Sequence, residues 1–107
     1  MTAQVDNILP ILRKLSFLML FCLPTIATAQ ITEIRKLQSD LPKITDSLKY
    51  VDALNRLGLL IHTKSADSCF YYGMKAQAIA DRLRYDKGRA EAMVNIAITL
   101  TIKGSWA

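Results

Sequence analysis

Apolar residues recur every three or four positions in two neighbouring stretches, separated by the polar run Thr63-Lys64-Ser65. In the first, Ile44, Leu48, Val51, Leu54, Leu57, Gly58 and Ile61 follow one face at helical spacing. Asp46, Lys49, Asp52, Asn55 and Arg56 fall largely off that face, so the pattern predicts a helix from near Lys43 to His62. Gly58 costs about 1 kcal/mol relative to alanine in a helix interior. It is tolerable where a second helix must approach closely. The second stretch places Ala66, Cys69, Phe70, Gly73, Met74, Ala76, Gln77, Ala80 and Leu83 on one side, with Ser65 or Asp67 available as N-cap. Small Gly73, Ala76 and Ala80 alternate with large Phe70 and Leu83, a mix suited to interlocking with the preceding helix.

The segment Tyr85-Asp86-Lys87-Gly88 interrupts the pattern, with Asp86 as a candidate N-cap. A fourth helix follows to about Lys103, carrying Ala90, Met93, Ile96, Ala97 and Leu100, and Gly104-Ser105 reads as its stop. Upstream, Ile31, Ile34, Leu37 and Leu41 predict a short lead-in helix within residues 30–42, ended by Pro42 because the residue before a proline avoids the α region. The expected fold is all-α: a helical hairpin array over residues 43–107, with the lead-in helix covering its open end.

The first 29 residues read as an address. Arg13 and Lys14 precede the apolar run Leu15–Leu23, Pro24 ends it, and Ala27-Thr28-Ala29 supplies small residues in an A-x-A arrangement. These are the parts of a secretory signal, with cleavage expected after Ala29 and export to the periplasm. The run is shorter than the roughly 20 residues of a comfortable membrane span, and an uncleaved inner-membrane anchor is the alternative. Phe21 before Cys22 is too bulky for a lipoprotein signal. Cleavage leaves Cys69 as the remaining cysteine, which excludes an intramolecular disulfide and fits a small buried hydrophobe.

Composition narrows the function. Apolar residues make up 51% and charged residues 21% of 107, which favours a packed fold over disorder. The net charge of +5 is spread among acids, with Arg82, Arg84 and Lys87 beside Asp81 and Asp86, where a nucleic-acid footprint would need a basic stripe. His62 is the single histidine, so a multi-histidine metal site is excluded, and its place at a helix end fits bonding to terminal carbonyls. No serine stands in a nucleophile elbow. Asp67 and Asp81 are about 21 Å apart along one helix. No catalytic, cofactor or metal site is expected. The recognition candidates are Tyr71 and Tyr72, which diverge from an inward-pointing Phe70; tyrosine is enriched at binding hot spots.

The pattern also repeats. Leu54-Asn55-Arg56-Leu57-Gly58-Leu59-Leu60-Ile61 aligns with Met93-Val94-Asn95-Ile96-Ala97-Ile98-Thr99-Leu100, 39 positions later. This resembles the tetratricopeptide repeat, whose usual period is about 34 residues, and Ala76 stands where that motif keeps a small residue. The motif's closing proline is absent, with Asp81 near its place. The run Ala66-Asp67-Ser68-Cys69-Phe70-Tyr71-Tyr72-Gly73-Met74-Lys75-Ala76, with Arg82-Leu83 and Tyr85-Asp86-Lys87-Gly88, is similar to the N-terminal repeats of exported tetratricopeptide proteins of Bacteroidetes-type bacteria, many of them sensor histidine kinases. The resemblance implies an α-solenoid of about one and a half repeats, where about three bury a continuous core. It implies packing through Leu54, Leu57, Gly58, Ile61, Phe70, Gly73, Ala76, Ala80, Met93, Ile96 and Ala97. It further implies a protein- or peptide-binding module, the sensing fragment of a two-component kinase whose catalytic part lies elsewhere. The alternative is an exported scaffold without signalling output.

Overall fold

The structure, a computed structural model, describes the backbone of residues 2–104 and the side chains of residues 8–20 and 28–104. Helix α1 spans Thr2–Asp40 and a 3-10 turn covers Leu41–Lys43. Helices α2 (Ser47–Ile61), α3 (Ala66–Leu83) and α4 (Asp86–Gly104) follow, and no strand occurs among the described residues. The chain is all-α. It divides into two compact units, residues 1–32 and 33–107.

The first unit is a single helical stretch. From Ile8 to Leu20 its large apolar side chains are at least half exposed, Met19 reaching 75%. Where the sequence predicts one apolar run ending at Pro24 and a separate helix near Ile31, the helical backbone is continuous through both. Residues 25–32 contain no glycine, and the Thr32 hydroxyl donates to the Thr28 carbonyl at 2.9 Å, the i to i−4 bond by which a threonine is satisfied inside a helix. No helix is long and apolar enough to cross a membrane among the described residues. The side chains of Cys22 and Ala27, and the residues Ser105, Trp106 and Ala107, lie outside the described part.

In the second unit the ends of the helices follow from local chemistry. Helix α2 starts at Ser47 rather than near Lys43, because the 3-10 turn ends in extended backbone at Ile44 and Asp46. The Asp46 carboxylate then accepts from the Leu48 and Lys49 amides at 2.9 and 3.1 Å. Ser65 caps α3, its hydroxyl accepting from the Ser68 amide at 3.1 Å. Helix α3 ends at Arg84, which takes the left-handed conformation (φ 51°) while the Tyr85 amide donates to the Ala80 carbonyl at 2.9 Å. Asp86 is the first residue inside α4 and not its cap.

The three helices pack mutually, and the rule of their packing is large on small. Val51, Leu54 and Leu57 of α2 are fully buried, as are Cys69, Ala76 and Ala80 of α3 and Ala92 of α4. Leu41, Tyr50, Tyr72, Ile79 and Tyr85 close the margins of this core. Three glycines set the closeness, and a Cβ on Gly73 of α3 would stand 3.2 Å from Ile96 Cγ1 of α4. A Cβ on Gly58 would stand 3.0 Å from the Asn95 amide nitrogen, and one on Gly88 would stand 2.4 Å from the Tyr85 ring and 2.7 Å from Val51 Cγ1. Helix α4 can sit on α2 only because residue 88 carries no side chain.

Candidate binding groove

Where α4 crosses α2, a groove of about 390 Å³ opens, lined by Asp52, Asn55, Arg56 and Leu59 of α2 and Lys87, Glu91, Val94 and Asn95 of α4. Its floor is polar. The Asn55 side-chain amide donates to the Gly88 carbonyl at 2.9 Å, and the Asn95 amide donates to the Asn55 carbonyl at 2.9 Å. The Thr99 hydroxyl donates to the Asn95 carbonyl at 3.1 Å, and Cys69 Sγ reaches the same oxygen at 3.5 Å. Asn55 is 3% exposed, yet its Oδ1 has no hydrogen-bond partner among the described residues. A buried acceptor left unmade costs about 1–3 kcal/mol.

The walls carry both signs of charge. The Tyr85 hydroxyl donates to Asp52 Oδ1 at 2.7 Å, and that bond to a carboxylate pushes the tyrosine pKa up to about 12. Glu33 binds Arg56 through two bonds of 2.9 and 3.3 Å. The bonding holds the Glu33 carboxyl below its ordinary range and the guanidinium above its own. Lys87 and Glu91 stand 4.0 Å apart, one helical turn from each other. Further along, an apolar hollow of about 430 Å³ is lined by His62, Val94, Ala97, Ile98, Thr101 and Ile102, so Val94 borders both. The His62 ring sits on the Leu59 carbonyl. A larger concavity of about 880 Å³ between Leu9 and Phe17 is formed by one helix of the first unit and cannot enclose a ligand.

The expected residues fall in different places. Leu54, Leu57, Gly58, Gly73, Ala76 and Ala80 are buried together, and Ile61 and Ile96 are half-buried. Phe70 and Met93, expected inside, lie at the surface at 37% and 54% exposure, and Ala97 is exposed as well. For Met93 and Ala97 the reason is the rotation of α4. It turns Gly88, Ala92, Asn95 and Thr99 inward, because a helix lying this close admits only small or hydrogen-bonded groups. Asn55, expected off the buried face, lies on it for the same reason.

Tyr71 and Tyr72 stand on α3 and do not line the groove. Their rings meet edge to face at 5.5 Å, and Lys75 Nζ lies 5.6 Å from the Tyr50 ring and 5.9 Å from that of Tyr71. Interaction with Tyr50 raises the Lys75 pKa. The groove residues Asn55 and Asn95 were the ones sequence periodicity missed. The repeat register does not mark them, since at the 39-position offset Asn55 aligns with Val94 and Asn95 with Arg56.

Fold and groove together define an all-α protein with an open, mixed-charge surface, and among the described residues no three metal-ligating side chains cluster. No family model, curated protein or solved structure matches the chain.

Proposed function

We propose that the helical unit from residue 33 onward is a protein- or peptide-binding module of the tetratricopeptide kind, with the α2/α4 groove as its site. The observation that carries this is the groove itself, with paired charges of both signs on its walls and the Asn55 and Asn95 side chains in its polar floor. A peptide backbone, with alternating donors and acceptors and side chains of either charge, is the ligand class that suits such a lining. The resemblance of residues 66–88 extends the proposal to export behind the N-terminal segment and to the sensing region of a membrane-bound histidine kinase. An exported scaffold with the same groove is the second reading.

The test is to select peptides from a random display library on the intact chain and titrate them against Glu91→Lys and Val94→Asp. These two groove residues are exposed, so the fold should persist while affinity falls at least about tenfold, the equivalent of 1.4 kcal/mol. Peptides that bind both variants as well as the parent would remove the groove from the reading. Sequencing the coding frame past Ala107 separates the two outputs, a membrane span and kinase against further repeats alone.

A further inference from the structure

Arg56 belongs to the groove, but its charge is claimed from outside it. The residue lines the α2/α4 groove, and its Nε and Nη2 donate to the two carboxylate oxygens of Glu33 at 2.9 and 3.3 Å. Glu33 stands in the last turns of α1, which belong to the second unit, and it does not line the groove. Without Glu33 the charges of the lining balance, Asp52 and Glu91 against Arg56 and Lys87. With it, the excess is one negative charge. The grip of residues 33–40 on the unit is light. Ile34 is buried and Leu37 half-buried, while Arg35, Lys36, Gln38 and Ser39 are exposed. A segment with so few buried apolar side chains opens at low cost.

We infer that Glu33 is an internal competitor for Arg56, a latch that keeps acidic peptide side chains out of the groove. This rests on the groove being the peptide site. A side-chain carboxylate of a bound peptide and the Glu33 carboxylate need the same planar donor fork. Glu33 already holds the Nε–Nη2 edge of that fork. A second carboxylate at the remaining edge would meet the Glu33 charge at close range. Lys87, 4.0 Å from Glu91, offers the acid no unpaired cation instead. A peptide acid therefore binds well only where Glu33 leaves. Coupling of this kind is reciprocal, so an acid seated on Arg56 frees residues 33–40. Neutral and basic peptides do not compete, and they enter with the latch closed.

The test compares the intact chain with Glu33→Gln, which keeps the shape of the side chain and removes its charge. Peptides selected from one random library on the variant should be richer in Asp and Glu than those selected on the parent. An acidic peptide should bind the variant up to about fivefold more tightly, the ceiling for an exposed ion pair. The same peptide with Gln for each acid should bind both chains alike. The gain should vanish in an Arg56→Gln background and shrink as salt is raised. Amide exchange over residues 33–40 of the parent should quicken when the acidic peptide binds. Equal gains for the acid and amide peptides would make Glu33 a steric cover. A gain that survives Arg56→Gln would seat the acid on another cation. Either result overturns the latch, as does unchanged exchange over residues 33–40. Peptides that lose affinity on Val94→Asp yet ignore Glu33→Gln overturn the latch alone. Peptides that ignore Val94→Asp as well overturn the groove reading beneath it.

Discussion

Gly88 shows how much of this unit rests on single positions. It stands in the first turn of α4, where alanine would ordinarily gain about 1 kcal/mol of helix propensity. Its missing Cβ, however, leaves room for the Tyr85 ring and for the stiff β-branched Val51. Tyr85 cannot swing aside without breaking its bond to Asp52. Overpacking of this sort costs about 1–3 kcal/mol, so Gly88→Ala should destabilise the unit despite the better helix former. Urea unfolding of the two chains measures it. A variant more stable than the parent would show that α4 can lift from α2 freely. Asn55 is the polar counterpart, buried with its amide donating to the Gly88 carbonyl and with one oxygen left over.

At the scale of elements, boundaries follow capping chemistry more closely than apolar periodicity. Asp46 and Ser65 fix the starts of α2 and α3 through their side-chain oxygens. The end of α3 is less well served, since Arg84 holds a left-handed conformation that suits glycine. Arg84→Gly should therefore stabilise the unit by up to about 1 kcal/mol, read as a rise in the thermal midpoint. Its side chain is exposed, so little packing is lost. A fall in the midpoint would mean that arginine contributes more at this turn than its backbone strain removes. Helix α4 differs from α2 in kind, since α2 buries its large residues and α4 buries its small ones.

For the unit as a whole, Tyr85 and Asp52 form a pH-dependent clasp between the α3–α4 connection and α2. The Tyr85 pKa is raised from 10.0 to about 12 by the bond to Asp52, so its contribution is complete below pH 10. It is lost as the pH rises through about 12. Tyr85→Phe should therefore lower the thermal midpoint at pH 8, and the gap to the parent should close as both are taken to pH 12. A gap that persists there would show that the hydroxyl acts through packing alone. Glu33 behaves in the opposite sense. Its carboxyl is held below the ordinary range by Arg56, so that bridge is lost only as the pH falls through the lowered value.

The sequence by itself determined that three helices follow one another after the lead-in, with breaks near residues 63–65 and 85. It also determined that Leu54, Leu57, Gly58, Gly73, Ala76 and Ala80 are buried, while it set the start of the first helix near Lys43 where the structure begins it at Ser47. Periodicity and turn chemistry are local, and α2 and α3 have one apolar face each. It could not decide the orientation of α4, which is apolar on one side and small or polar on the other. There the usual rule picks Met93, Ala97 and Leu100 as the inward face. Only the tertiary structure reversed this, because a helix seated on Gly58 of α2 and Gly73 of α3 has room for alanine, asparagine and threonine and none for methionine or leucine. The groove followed from that choice. Asn55 and Asn95 became its floor through bonds to backbone carbonyls more than thirty residues away, partners that no spacing along the chain records.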